Sequence, residues 1–296
     1  MDSKDKLKKE SGKIMKHLSE DEERELKRKA LAVRKNILRM IKAGKSGHVG
    51  GALSSADILT ALYFKVMRVD PNNPGWRERD RLVLSAGHKC LALYAVLAEK
   101  GFFDKSILDT YGSLSSKLPG HPDMHKLPGV ETNTGALGHG LSIAGGMALG
   151  LRLDGIDARV YVIMGDGELA EGSNWEAAAA SSHHALDNLV VFVDRNTLQI
   201  SGKTVEVMNY EPLDQRWKAF GWSVREINGH DMRQIVETTL QTPFERGKPS
   251  IIIANTIKSK GLSFAEDKVE YHYWTATEEE LSIAEKDLIK IEEEIG

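Results

Sequence analysis

Two short runs in the middle of the chain carry side chains suited to a charged, oxygen-rich ligand. The first is Val160-Tyr161-Val162-Ile163-Met164 followed by Gly165-Asp166-Gly167-Glu168; the second is Val190-Val191-Phe192-Val193-Asp194-Arg195-Asn196. Asp166 and Asn196 each offer a hard oxygen ligand, and the backbone carbonyl of Leu198 offers a third. Such a set suits a small oxygen-preferring cation, Mg2+ or Ca2+, whose shell is completed by diphosphate oxygens and water. Gly165 and Gly167 let backbone amides approach an anion, and a helix beginning near Ser173 adds a favourable dipole.

The same turn admits a second reading. Gly165-x-Gly167-x-x-Ala170 after an apolar run matches a dinucleotide-binding fingerprint, and Asp194 ends the next run where a ribose-binding acid would sit. Against it stands Asp166, whose carboxylate would face a pyrophosphate with nothing to neutralise it. A divalent cation removes that repulsion and gives Asn196 a role. The metal-bridged diphosphate is therefore the expected ligand. A plain tight turn with a solvated Asp166 leaves Asn196 unexplained.

These residues need a scaffold. Residues 160–164, 189–193 and 250–254 are apolar runs with the pattern of strands buried on both faces, and 81–84 reads as a further strand. Leu26, Ala30, Leu31, Val33, Ile37, Leu38 and Ile41 recur at helical spacing over 23–43, with Gly44 as a stop. Ser54-x-x-Asp57 is a capping signal for a helix running to about Met67. Further helices are expected over 88–100, 141–153, 174–184, 232–240 and 278–294, while 114–140 is too rich in Gly, Pro and His for a regular element. Alternating strands and helices with right-handed crossovers imply an α/β fold, a mainly parallel sheet with helices on both faces. Its ligands belong beyond the carboxyl ends of the strands. Residues 1–20 read as a charged arm and 21–296 as one domain.

The 296 residues, 41% of them hydrophobic, suffice for a proper core. A formal net charge of −3 provides no global field for nucleic acid or an anionic membrane. Cys90 is the single cysteine, so no disulfide framework forms within the chain, which fits a reducing compartment. No apolar stretch approaches the ~20 residues that span a bilayer, and the N-terminus lacks the apolar core of a signal peptide. The expectation is a soluble cytoplasmic protein.

The motifs together resemble the transketolase family. Gly165-Asp166-Gly167-Glu168 with Asn196 is similar to the thiamine diphosphate motif. Ser46-Gly47-His48-Val49-Gly50-Gly51-Ala52-Leu53-Ser54 resembles the SGHPGG(S/A)LS loop, and Asp80-Arg81-Leu82-Val83-Leu84-Ser85-Ala86-Gly87-His88 the DR(F/L)(V/I)LSxGH block. Pro119-Gly120-His121-Pro122 with Leu127-Pro128-Gly129-Val130-Glu131, and Thr134-Gly135-Ala136-Leu137-Gly138-His139-Gly140-Leu141-Ser142, resemble the GHPE…PGVE and TGxLGQGxS blocks. In this order the blocks span His48 to His272.

The resemblance implies the diphosphate-binding domain of the thiamine diphosphate fold and a set of roles. Asp166, Asn196 and the Leu198 carbonyl would hold Mg2+ or Ca2+. Gly165, Gly167 and His88 would lie at the diphosphate, and Gly135 and Leu137 at the ring system of the cofactor. Glu171 would sit in a buried acidic network nearby, and His48, His121, His272 and Lys258 would face the substrate channel. Transfer of a two-carbon ketol unit between sugar phosphates, pentose phosphates in the standard case, needs proton transfers at hydroxyl oxygens, and imidazoles titrate in the right range for that.

Family members continue into a second domain that carries the glutamate activating the aminopyrimidine. This chain ends at Gly296, so the resemblance implies the first subunit of a split transketolase. Its partner would be a pyrimidine-binding subunit, two copies of each chain forming a heterotetramer. Val49, His139 and Ser259 replace the usual proline, glutamine and glycine, and Tyr271-His272-Tyr273-Trp274 replaces His-Gly-Lys. Two rings beside a channel histidine would narrow the pocket, pointing to a branched or modified sugar. A thiamine-dependent 2-oxo acid decarboxylase or synthase is the alternative chemistry, and a scaffolding subunit without activity the non-enzymatic one.

Taken singly, several residues have plainer readings. His183 and His184 are packing or surface residues, Cys90 is a small buried hydrophobe, and the prolines around His121 and His125 argue against a helical zinc pair.

Overall fold

The computed structural model describes residues 17–296, so most of the arm expected over residues 1–20 lies outside the described residues. The apolar runs become strands of a five-stranded parallel sheet: β2 (Arg81–Leu84), β3 (Val160–Gly165), β4 (Leu189–Arg195), β7 (Ser223–Asn228) and β8 (Ser250–Asn255). The order across the sheet is β2-β3-β4-β8-β7. Register aligns Gly165 with Asp194, and Asp194 with Ala254, so the polar ends of the central strands finish together at one edge. After β4 the chain makes a small antiparallel hairpin, β5 (Leu198–Gln199) with β6 (Gly202–Lys203), and one helical turn, α6 (Thr204–Val207).

Both sheet faces are covered, which is why the central strands tolerate unbroken apolar runs. Val160, Val162 and Met164 share a cluster with Leu141, Ala144 and Trp217, from α4 (Gly140–Leu153) and α7 (Leu213–Ala219); Ala177 and Ala178 of α5 (Gly172–His183) join it. Tyr161 and Ile163 pack on the other side with α1 (Glu20–Gly44), α2 (Val49–Ala61), α3 (Cys90–Lys100) and α8 (Met232–Leu240). Handedness decides which helix goes where. The steps β3 to β4 and β4 to β7 move one way and put α5 and α7 on one face; β7 to β8 steps back and puts α8 on the other.

One sequence expectation is corrected, and two elements were missed. α2 begins at Val49, so Ser54 and Asp57 lie buried within the helix rather than at its cap. Their side chains serve tertiary partners instead: the Ser54 hydroxyl donates to Gly51 O (3.1 Å) and to Asp194 Oδ2 (2.6 Å). Reciprocal capping boxes occur elsewhere, Ser19 with Glu22 on α1 and Thr277 with Glu280 on α9 (Glu278–Ile295). Strand β7 and helix α7 had no clear sequence signal. β7 is an edge strand whose central Arg225 and Glu226 are exposed, which breaks the apolar run used to find the others.

Among the described residues, no helix is long and apolar enough to cross a membrane. A two-residue antiparallel pairing matters for the site. β1 (Ser46–Gly47) pairs with β9 (Trp274–Thr275), Gly47 opposite Trp274, which brings the His48 loop against the His272 loop.

Helix α4 meets the end of β2 at Gly140, where an added Cβ would come within 2.6 Å of Ser85 Cα. Gly146, on the exposed side of the same helix, has nothing within 4 Å of such an atom. Gly140→Ala is expected to lower unfolding stability by ~1–3 kcal/mol through overpacking. Gly146→Ala is expected to raise it by about 0.5–1 kcal/mol through helix propensity. Urea unfolding of the two variants gives both values, and equal shifts would contradict the packing described here.

Candidate active site

Asp166 follows β3 directly and Asn196 follows β4, so the two side chains meet beyond the carboxyl edge of the sheet. Asp166 joins the two strand ends: Oδ1 accepts from Gly167 N–H (2.9 Å) and Oδ2 from Thr197 N–H (2.6 Å). Asn196 Oδ1 accepts from Leu198 N–H at 3.2 Å. Burial, then the neighbouring Asp194 carboxylate, push the Asp166 carboxyl up to about 7. The chain by itself thus leaves Asp166 short of positive charge.

Asp194 is in the opposite condition. It is fully buried and accepts from the Lys89 ammonium and the hydroxyls of Ser54 and Thr256. Burial alone would raise it, but Lys89 and these hydrogen bonds hold it below the ordinary carboxylate range. A carboxylate so fully engaged is closed to a ribose, and the dinucleotide reading loses its acid.

Glu168 is a third buried acid at this edge. Its Oε1 accepts from Gly138 N–H (2.9 Å) and from the Ser85 hydroxyl, and its Oε2 from Gly165 N–H (3.3 Å). It therefore ties the 134–140 loop to the ends of β2 and β3. Glu171, by contrast, is exposed on this chain, with its Cβ backing the Gly138 turn. One expectation changes in consequence. The Gly165 amide is directed at Glu168, not outward, and an alanine Cβ there would meet only ordinary contacts at 3.8–4.0 Å. Gly167 is the sterically required glycine, since a Cβ would come within 2.9 Å of Gln199 Cβ.

The histidines gather beside this edge. His48 lies 5.7 Å from His88, 5.8 Å from His121 and 5.5 Å from His272 between ring centroids, and His88 lies 5.2 Å from His272. They come from four separate segments, the α2 entry, the turn before α3, the irregular 114–140 region and the turn before β9. Burial, reinforced by Lys89, pushes His88 down to about 2; burial and Lys258 push His272 down to about 3. His48 is lowered by burial and by His121. These three imidazoles are therefore neutral at physiological pH, each with one N–H donor and one acceptor. Gly135, at φ 138°, backs directly on His121, whose ring a Cβ would touch at 2.9 Å; Leu137 is half-buried on the same loop.

Lys258 is buried against the cluster. Its ammonium donates to His272 Nδ1 (3.0 Å) and to the Leu198 carbonyl (3.2 Å). Burial and Lys89 lower it to about 8. Of the aromatic pair flanking His272, only Tyr273 joins the histidine cluster, edge-on to His48 at 4.8 Å with its hydroxyl 2.9 Å from Ser46 Oγ. Tyr271 turns away to Glu280 and Phe264.

Other candidates fall outside. His183 and His184 are exposed on the far end of α5, and His125 and His139 are exposed without joining the cluster. The Cys90 thiol is buried and pushed up to about 12, an inert packing group. Sequence reasoning overlooked Lys89, Thr256 and the inward role of Glu168. The available signal was a lysine placed directly after His88 at the start of an otherwise apolar helix.

The donor set suits a hard divalent cation: one buried carboxylate with a raised pKa, one amide oxygen and one carbonyl. Among the described residues no group of three or more His, Cys, Asp or Glu gathers as an all-protein metal cage.

Residues 26–289 match the family model described as the transketolase thiamine diphosphate binding domain. The chain is 47% identical to the 6-deoxy-6-sulfo-D-fructose transketolase subunit of Clostridium sp. (strain MSTE9), over 90% of this chain and 97% of that protein. It is 46% identical to an apulose-4-phosphate transketolase subunit of Phocaeicola vulgatus, over 86% and 90% of the respective lengths. In structure it is similar to the transketolase from Campylobacter jejuni, with a TM-score of 0.82 and 36% identity, covering 89% of this chain but 42% of that one. The buried carboxylate edge, the parallel sheet that carries it and these likenesses agree: the chain belongs to the transketolase family and has the fold of its thiamine diphosphate binding domain.

Proposed function

We propose that this chain is the diphosphate-binding subunit of a two-subunit, thiamine-diphosphate-dependent transketolase that moves a two-carbon ketol unit from a ketose phosphate to an aldose phosphate. The observation that carries this reading is the junction of the Asp166–Asn196 edge with His48, His88, His121 and His272. When bound, thiamine diphosphate supplies the nucleophilic centre that accepts and releases the two-carbon unit. Asp166, Asn196 and the Leu198 carbonyl would hold Mg2+ or Ca2+, with Gly167 and His88 at the diphosphate and Gly135 and Leu137 against the rings. The neutral imidazoles of His48 and His272 are suited to accept or donate protons at sugar hydroxyls without electrostatic reorganisation of the pocket. Lys258 would keep one His272 nitrogen as the acceptor, leaving the other to carry its proton toward the channel.

A partner chain is supported by the names of the relatives matched over nearly their whole length, which are those of subunits. It is also supported by the open side of the site, where His121 and Glu171 face solvent. A pyrimidine-binding chain, two copies of each, would close that side. A modified sugar is favoured over the standard pentose phosphates by Tyr273, whose phenol stands edge-on to His48, and by the modified sugars named for the relatives.

Two measurements test this. Mixed with a pyrimidine-binding partner, thiamine diphosphate and Mg2+, the chain is expected to transfer ketol units across a sugar phosphate panel that includes sulfonated and branched sugars. Release of carbon dioxide from a 2-oxo acid without ketol transfer would replace the reaction, and turnover by the chain alone would remove the partner. The second concerns Asp166. Its folded-state pKa is raised from 3.8 to about 7, so the metal-free native state holds the proton more tightly than the unfolded chain. Stability is then lost as pH rises from about 4 to 7, by ~4 kcal/mol at most. Asp166→Asn is expected to be more stable than the wild type above pH ~7 without metal, and equal to it below pH ~4. It is also expected to lose the thermal shift produced by Mg2+ and thiamine diphosphate. An unchanged shift would remove Asp166 from the metal site.

A further inference from the structure

Lys258 sits in a turn closed by Lys260 N–H on Ile257 O (3.2 Å) and braced by Ser259 N–H on Gly50 O (3.0 Å) and Asp267 N–H on Lys258 O (3.1 Å). The next residue, Ser259, has φ 62°, the left-handed region that a serine adopts only under constraint from its surroundings. The Lys258 stem crosses Gly50, where a Cβ would come within 2.9 Å of Lys258 Cε. Among the described residues its ammonium bonds Leu198 O and His272 Nδ1 and no carboxylate. A buried ammonium bonded only to neutral acceptors is not self-positioning, because it gains more in water.

Three side chains distant in sequence add to these backbone bonds. Ile257 N–H donates to His230 Nε2 at 2.9 Å, and Arg34 Nε donates to Lys260 O at 3.2 Å. These contacts hold the backbone on either side of Lys258. Asp57 joins the two holders: it accepts from His230 Nδ1 at 2.7 Å and from both Arg34 terminal nitrogens at 2.8 and 2.7 Å. Because Nε2 accepts from a backbone amide, His230 carries its proton on Nδ1 and donates it to Asp57. Arg34 and Asp57 are buried, so the bidentate pair is shielded from solvent.

We propose that Arg34, Asp57 and His230 are positioning residues for Lys258, fixing the backbone before and after it so that its ammonium is kept on His272 and the Leu198 carbonyl. None of the three touches the histidine cluster. Their effect on the reaction is exerted through Lys258, and this consequence for turnover rests on the function proposed above; the positioning itself does not.

The test compares His230→Leu with His230→Gln. Leucine is similar in size but offers neither the donor to Asp57 nor the acceptor for Ile257 N–H. The glutamine amide offers one of each. In the full chain, acetylation of Lys258 by acetic anhydride at one fixed pH is followed by mass spectrometry, with buried Lys89 as the internal reference. His230→Leu is expected to raise the Lys258 rate about tenfold while leaving Lys89 unchanged, and His230→Gln to restore the wild-type rate. In the mixed enzyme, His230→Leu is expected to lower kcat about a hundredfold with little change in KM, again restored by glutamine. The proposal is overturned if Lys258 and Lys89 accelerate together, which means general loosening. It is also overturned if Lys258 stays at its wild-type rate in a destabilised leucine variant, or if glutamine fails to rescue. A wild-type mixture that transfers no ketol unit would count against the function, while the labelling result would still decide the positioning.

Discussion

The buried ion pair between Lys89 and Asp194 is the interaction on which the site's electrostatics depend. Two central strands of a parallel sheet end side by side, and each brings a buried carboxylate to the same edge. Two uncompensated carboxylates there would be prohibitive. Lys89, from the start of α3, neutralises Asp194, and the Ser54 and Thr256 hydroxyls satisfy its remaining lone pairs. Of the two, Asp166 is left short of a cation. This division of labour, one acid closed by the protein and one left open, is what would suit a crowded sheet edge to the metal ion proposed above.

The same lysine also acts on the histidines. It is among the charges that keep His88 and His272 deprotonated, so the cationic base of the site and the neutral cluster above it are parts of one arrangement. Protonating those rings would add positive charge next to Lys89 and Lys258 in a poorly solvated space. Glu168 has the matching role for the backbone. By collecting the amides of Gly138 and Gly165 and the Ser85 hydroxyl, it anchors an irregular glycine-rich loop to two strand ends. A loop without regular hydrogen bonding gains its fixed shape from such a buried acceptor.

Much of the molecule's readiness for a partner chain follows from this geometry. The carboxylate edge is closed below by the sheet and laterally by Lys258 and His272, while His121 and Glu171 remain on the solvent side. A site complete on one side and open on the other is consistent with a cofactor held between two chains, as proposed above.

The sequence by itself determined the elements that local physics controls. Continuous apolar runs marked β3, β4 and β8, helical periodicity marked α1, and the Gly165-Asp166-Gly167 turn with Asn196 marked the ligand edge. The family blocks named the four histidines before any of them could be placed. Edge strand β7 escaped because its exposed Arg225 and Glu226 interrupt the pattern, and the apparent cap at Ser54 and Asp57 failed because both side chains are used for tertiary contacts. Only the tertiary structure decided which acid is open and which is closed, that Glu168 is buried and Glu171 exposed on this chain, that Tyr273 alone of the flanking pair joins the histidine cluster, and what holds Lys258. Each of these depends on partners far apart in the chain, such as Gly138 with Glu168 and Arg34 with Lys260, 30 and 226 residues apart. Pairing at that range is set by strand register and crossover handedness, which no local pattern of residues encodes.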